Sequence, residues 1–196
     1  LQFTNQGSIL ANNLNLDVQG GLVNQQGGQL VARENATFRS QSVNNAGVLA
    51  GNTLAVDSGT VTHSGIMQGN SGLTLNSTAL NVLAGAQLLS DGELAVNGGA
   101  VTNAGSWQGN SLTFGVDSLD NSGSINAVAG LTGTVLNTLQ NSGQMGSLGT
   151  LNLSGDYLTN SGKLVANRLT LDAATLNNTG LWQGSEWLNA HGDALT

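Results

Sequence analysis

The feature that most constrains this 196-residue chain is a short motif, Leu-x-Asn-x-Gly, that is repeated from one end to the other. Successive copies lie 18 to 20 residues apart, with glycines at Gly7, Gly27, Gly47, Gly65, Gly85, Gly105, Gly123, Gly143, Gly162 and Gly180. A fixed period of this length is typical of solenoids, in which one repeat cannot bury its apolar face alone and stacks on its neighbours. We therefore expect a single repeat domain over residues 1–196. Because the pattern reaches both ends, we also expect this domain to be a fragment of a longer filament.

Each repeat has the alternation of apolar and polar residues that predicts β-strands with one buried face. The residue four positions before the glycine is apolar in nine of the ten copies, and the residue three positions before the glycine is polar in nine. A second apolar pair, such as Leu54 with Val56 or Leu169 with Leu171, follows seven to nine residues after the glycine. No window has the 3.6-residue apolar spacing of an amphipathic helix.

These short strands predict an all-β fold, a right-handed parallel β-helix of about ten coils with a period of about 19 residues, because parallel crossovers are almost always right-handed. A leucine-rich repeat has a similar period, but it expects a helical side in each repeat where this chain has another β segment. Two repeats depart from the pattern. Residues 24–42 lack the regular leucine pair and are a candidate for a protruding loop, and residues 80–100 have Asn81 at an inward, normally apolar position. The same counting places Gln29 and Gln87 inside.

An inward position two residues before the glycine is asparagine in seven of the ten copies: Asn5, Asn45, Asn103, Asn121, Asn141, Asn160 and Asn178. A buried amide is costly unless its hydrogen bonds are made. Identical asparagines stacked about 4.8 Å apart can each donate to the next amide along the solenoid axis. We therefore predict an internal asparagine ladder, in which His63 takes the place of one amide.

The composition excludes several classes of function. Four Lys or Arg stand against eleven Asp or Glu, a formal net charge of −7, so there is no basic surface to neutralise the phosphates of a nucleic acid. The chain has no cysteine, which excludes disulfides and thiolate metal sites. No apolar run approaches the roughly 18 residues of a membrane span. No motif indicates a metal, a nucleotide or another cofactor.

The clearest copies of the repeat are LDNSGSI at 119–125, LQNSGQM at 139–145 and LTNSGKL at 158–164. With these copies the chain resembles the haemagglutinin repeats of the filamentous haemagglutinin family, large exoproteins of two-partner secretion that include adhesins and CdiA-type effectors of contact-dependent growth inhibition. The resemblance covers all ten repeats. It implies a β-helical filament, secreted through an outer-membrane transporter to the surface of a Gram-negative bacterium. It also implies a non-enzymatic stalk that helps to bind another cell or deliver a toxin, with a receptor protein or a glycan as partner.

Outward residues that depart from the neutral polar surface are candidates for contact with such a partner: Arg33, Arg39, Gln68, Gln108, Tyr157 and Gln183. The three glutamines share one repeat position but lie two and four coils apart. Tyr157 lies on a wall otherwise formed by Ser, Thr and Ala. Alternation also places Leu10 beside Leu30 on the outer surface of neighbouring coils.

The alternative function is that of a polysaccharide-active β-helix enzyme, since some parallel β-helices are lyases or hydrolases. Such enzymes need two or three carboxylates that converge on one wall. Asp17, Asp57 and Asp172 share a repeat position, but only Asp17 and Asp57 are within two coils of each other. We interpret them as turn residues whose side chains bond to their own backbone, and we predict no catalytic residue.

Overall fold

In the computed structural model, which describes residues 1–196, the chain consists of β-strands and turns. It contains no helix that is long and apolar enough to cross a membrane. All fifteen strands belong to one sheet, and each strand pairs in parallel with a strand about one repeat away. The strands are β1 (Gln2–Asn5), β2 (Ser8–Ala11), β3 (Leu14–Asn24), β4 (Gln29–Ala32), β5 (Asn35–Asn45), β6 (Val48–His63), β7 (Ile66–Val82), β8 (Gln87–Ser90), β9 (Glu93–Asn103), β10 (Ser106–Asn121), β11 (Ser124–Asn141), β12 (Gln144–Asn160), β13 (Lys163–Asn178), β14 (Leu181–His191) and β15 (Ala194–Leu195).

Equivalent residues of successive repeats form columns along the solenoid axis. Leu119 pairs with Leu139, Leu139 with Leu158 and Leu158 with Leu176, and all four side chains are buried. Because each apolar position stacks on its own copy, the coils share one continuous core. The predicted parallel β-helix of about ten coils and its period of about 19 residues are confirmed.

Two turns are longer than the others, and this shifts the repeat count. A regular turn has two residues between strands, as at 122–123, whereas the turns at 25–28 and 83–86 have four. In these long turns Gly28 and Ala86, not the glycine before them, accept the hydrogen bond that the regular glycines accept from the next coil. Counting from the motif glycine therefore gave the wrong register in the second and fifth repeats.

The displaced glycines have a local role of their own. Gly27 and Gly85 both have φ of 83°, a conformation that favours glycine. Gly27 is the third residue of a tight turn that Gly28 closes by donating its N–H to the carbonyl oxygen of Gln25 at 2.8 Å. A positive φ at this place is the requirement of a type II turn.

The shifted register makes several sequence predictions wrong. Gln29, Asn81 and Gln87 were placed inside, but all three are exposed. The buried residues at these places are Leu30, Leu80 and Leu88. The predicted alternation of buried and exposed residues was correct, but which of the two alternating sets is buried depends on how many residues a turn contains.

Apart from its long turn at 25–28, the repeat at residues 24–42 stacks as the other coils do. Strands β4 and β5 pair in register with both neighbouring coils, so the expected protruding loop does not exist. Ala36 and Phe38 fill the places of the leucine pair and are buried. The prediction that Leu10 lies beside Leu30 on the outer surface is also wrong, since Leu30 is inside and Leu10 stacks on Val31.

Candidate functional site

The buried asparagines form a hydrogen-bonded ladder along the axis. Asn121 Nδ2 donates to Asn141 Oδ1 at 2.7 Å, and Asn141 Nδ2 donates to Asn160 Oδ1 at 2.7 Å. Each Nδ2 also donates to backbone, as Asn141 does to the carbonyl oxygens of Gly143 and Lys163 at 3.3 and 3.1 Å. The amides therefore tie each coil to the next and satisfy polar atoms that burial would otherwise leave unbonded.

The ladder has one asparagine more than the sequence predicted, Asn24, and its column also contains Val82. The column is Asn5, Asn24, Asn45, His63, Val82, Asn103, Asn121, Asn141, Asn160 and Asn178. Asn24 was missed because the long turn that follows it displaces the motif glycine. Its signal in the sequence is an asparagine at the end of an apolar strand, three residues before Gly27 instead of two.

His63 and Val82 interrupt the ladder. His63 Nε2 lies 2.9 Å from the carbonyl oxygen of Gln87, so this nitrogen carries the proton of the neutral ring. On the neutral ring Nδ1 accepts from Asn45 Nδ2 at 3.2 Å, whereas the carbonyl oxygen of Asn45, 3.3 Å from the same nitrogen, could accept only from the charged imidazolium. Burial lowers the pKa of His63 because it disfavours the charged imidazolium, and this outweighs the hydrogen bonds to the backbone of Gln87 and Asn45.

An outer polar column, on the surface of the solenoid, stacks mostly polar residues of different kinds. It consists of Asp17, Arg39, Asp57, Asn76, Asn97, Gly115, Thr134, Ser154, Asp172 and His191. Asp57 accepts from Asn76 Nδ2 at 2.6 Å and lies 3.5 Å from Arg39 Nε, while His191 Nδ1 lies 3.2 Å from Asp172. All three aspartates are strand residues, and Asp57 and Asp172 bond to neighbouring coils, so the interpretation of turn residues bonded to their own backbone is wrong.

The outward glutamines share a second column but not a site. Gln68 and Gln108 flank Leu89, and Gln183 lies four coils beyond Gln108. Gln108 lines two adjoining grooves of about 360 and 380 Å³, and Gln68 contributes to the first of them. The second groove opens at Gly146, where this column lacks a side chain, beside the exposed Leu148.

The remaining candidates lie apart. Arg33 is exposed near the N-terminal end beside Leu10 and Val31. Arg39 belongs to the outer polar column, where it faces Asp57. Tyr157 is half exposed between Thr138 and Thr175. The structure therefore distributes the predicted contact residues over several faces and coils.

Known proteins share this repeat. The sequence profile of the haemagglutinin repeat matches residues 2–78, 48–114 and 107–181, which together span most of the chain. The chain belongs to the haemagglutinin-repeat family. Its repeats have the regular coils and asparagine ladder described above.

Named relatives of the chain are CdiA proteins. The deoxyribonuclease CdiA of Dickeya dadantii is 37% identical over 73% of the chain, and the 16S rRNA endonuclease CdiA of Enterobacter cloacae is 34% identical over 65%. The tRNA nuclease CdiA of Yersinia mollaretii is 30% identical over all of it. The chain spans only 4 to 6% of the length of these relatives. No solved structure matches it significantly.

Together these matches identify a haemagglutinin-repeat region of a CdiA-type exoprotein. The nuclease activities in the relatives' names belong to those proteins. The β-solenoid is a structural segment of the kind expected in the stalk of such a protein.

Proposed function

We propose that this chain is part of the extended stalk of a secreted cell-surface exoprotein, which holds the functional ends of its parent away from the producing cell. The observation that supports this most is the continuous parallel pairing of coils from β1 to β15. At about 4.8 Å per coil, ten coils form a rigid rod of about 48 Å. Repeats joined by the same stacking before and after it would extend the same rod.

We further propose that the chain crosses the outer membrane unfolded through a dedicated transporter and folds outside the cell. Coils that contact only their neighbours can fold one after another as they emerge, because repeat arrays propagate from a local nucleus. The lack of cysteine is compatible with this route, since no disulfide has to be made. Location on the bacterial surface follows from the same proposal.

Contact with a target cell and delivery of a toxin are proposed roles of the whole parent protein. Within this chain we propose a non-enzymatic role, either as spacer or as a surface that touches a receptor protein or glycan. Arg33, Arg39, Tyr157 and the outward glutamines are the proposed contact residues. The alternative of a polysaccharide-active enzyme is less favoured, because Asp17 and Asp57 are separated in their column by Arg39.

Binding of the purified, folded 196-residue chain to Gram-negative target cells tests the contact role. Saturable binding that purified outer-membrane proteins or lipopolysaccharide compete away is the expected result. Alanine at Tyr157 or Arg33 should then weaken binding, whereas alanine at the outward Thr170 serves as a matched surface control. If the folded chain does not bind, its role is confined to that of a stalk.

A further inference from the structure

The middle part of each coil forms one flat outer face of the solenoid. The pairing of β10 with β11 shifts register at Asn110 and Asp117, which divides the coil into three segments, and other coils show shifts at the same places. We call the outer surface of the middle segments the middle face, the end at which a segment begins its leading edge and the other end its trailing edge. The column at the centre of this face contains only Asn, Thr and Ala: Asn15, Thr37, Ala55, Thr74, Ala95, Thr113, Thr132, Asn152, Thr170 and Asn189. Since no large side chain stands at this centre, another flat surface can approach it closely.

The exposed apolar side chains of the rod concentrate in two coils. Apart from those in the end coils and Leu83 in a long turn, they are Val128 and Leu136 in β11 and Leu148 and Tyr157 in β12. Val128 and Leu148 stack at the leading edge of the middle face, and Leu136 lies at its trailing edge. No charged residue or histidine occurs from residue 121 to residue 155. An uncharged belt with apolar side chains at both edges indicates contact with another protein surface.

Charged residues on opposite edges of the middle face have opposite signs. In β13 Arg168 lies at the leading edge and Asp172 at the trailing edge. In the coil of β5, Glu34 and Arg39 hold the same two places with the signs reversed. Both arginines have an acidic neighbour in their own chain but keep about half of their side-chain surface exposed, 53% for Arg168 and 52% for Arg39. A second copy of this face with its edges exchanged would therefore meet opposite charges in both coils.

We propose that two copies of this chain pair side by side through their middle faces, with their rods parallel. Such a pair has a twofold axis parallel to the solenoid axis, and this axis exchanges the leading and trailing edges of the same coil. Val128 and Leu148 of each copy then meet Leu136 of the other. The opposite charges in the coils of β5 and β13 meet in the same way.

An antiparallel pair of rods fits these edges less well. If the middle coils of the two copies coincided, Val128 would meet polar residues at the level of Asn70. If the pair were centred on the apolar belt instead, the faces would overlap over only part of each rod and Glu186 would meet Glu93. The parallel pair matches the apolar edges and the charged edges together.

The middle face is large enough for a specific dimer. Five residues of extended chain span about 17 Å and ten coils about 48 Å, so the face covers about 800 Å² in each copy. The total of about 1,600 Å² is typical of specific protein complexes. Of the proposed receptor contacts only Arg39 lies on this face. Arg33, Tyr157 and the outward glutamines remain accessible, so pairing is compatible with receptor contact.

Single introduced cysteines test the arrangement, because the chain has none of its own. Thr37→Cys and Thr170→Cys each place a thiol on the central column, near opposite ends of the rod. In the parallel pair both positions lie at the twofold axis, so each variant should form a disulfide-linked dimer with itself under mild oxidation. Gln140→Cys, exposed on the segment after the middle one, is the control and should remain monomeric. Cross-linking only in a mixture of the two threonine variants would show antiparallel rods and overturn the proposal.

Sedimentation equilibrium tests whether the unmodified 196-residue chain pairs at all, and a reversible monomer–dimer equilibrium at micromolar concentration is the expected result. Thr132→Arg puts two arginines against each other at the axis and should raise the dissociation constant by more than about tenfold. Gln140→Arg adds the same charge to the same strand outside the middle face and should leave the dissociation constant unchanged. Both positions are exposed, so both variants should remain folded. A chain that stays monomeric, or an equal effect of the two substitutions, would overturn the pairing and leave the stalk role intact.

Discussion

The two halves of the buried ladder solve the same problem with different residues. In the N-terminal half three asparagines lead to His63, and in the C-terminal half five asparagines run from Asn103 to Asn178. Between them Val82 occupies the same column and can neither donate nor accept. A ladder can therefore stop inside the core, provided that both of its ends are satisfied.

The two ends at the interruption show how this is done. His63 ends the first ladder by donating from Nε2 to the carbonyl oxygen of Gln87. Asn103 begins the second ladder, and its Oδ1, which receives nothing from Val82, accepts the backbone N–H of Gly105 at 3.1 Å. The comparison teaches that the amide stack can be interrupted at a coil where the groups at both ends of the interruption find backbone partners.

Breaking the longer ladder in its middle should have the largest effect. Asn141→Leu removes the side-chain acceptor of Asn121 Nδ2 and the donor to Asn160 Oδ1. The N–H of Gly162, which corresponds to that of Gly105, already donates to the backbone oxygen of residue 141 at 3.0 Å and is not free to replace the lost donor. We expect a loss of about 1 to 3 kcal/mol in the free energy of unfolding. Urea denaturation measures it, with Asn152→Leu on the outer surface as the control. An unchanged midpoint would show that the ladder does not stabilise the fold.

The two halves of the ladder should respond differently to acid, because His63 belongs only to the N-terminal half. The pKa of His63 in the folded chain is lowered from 6.5, so the unfolded chain binds this proton first and stability falls as the pH drops below about 6.5. The slope for one proton reaches at most about 1.4 kcal/mol per pH unit. His63→Asn should remove this component, because its amide can accept from Asn45 and does not titrate. Melting curves of both proteins from neutral pH to mild acid would contradict the assignment if they shifted in parallel.

Joining the two ladders by substitutions at His63 and Val82 should have the smallest effect on the free energy of unfolding. Val82→Asn alone should destabilise the chain, since the buried amide oxygen would receive no hydrogen bond from His63, which donates to Gln87. Combined with His63→Asn, the same change completes an uninterrupted stack. The double-mutant cycle should therefore show a favourable coupling of about 0.5 to 1 kcal/mol. Additive effects would mean that amides in adjacent coils do not bond across this point.

Part of the candidate surface could be predicted from the sequence. Gln68 and Gln108 share a repeat position, as do Asp57 and Asp17, and each pair was correctly predicted to share a column. This prediction works where the turns have their usual length, because the columns then follow the period of the motif. The partners of Asp57 were not predictable. Asn76 reaches it only because β6 and β7 pair with a register shift between Gly51 and Thr53, and no local pattern fixes where such a shift occurs.

The sequence by itself determined the architecture. A recurring Leu-x-Asn-x-Gly motif with alternating strands has one way to bury its apolar and amide positions together, which is to stack copies in parallel. The tertiary structure alone decided the register at the two long turns and the membership of Asn24 in the ladder. Each depends on which residues of different coils lie side by side, and one or two extra residues in a turn or bulge change that alignment while leaving the repeat pattern intact.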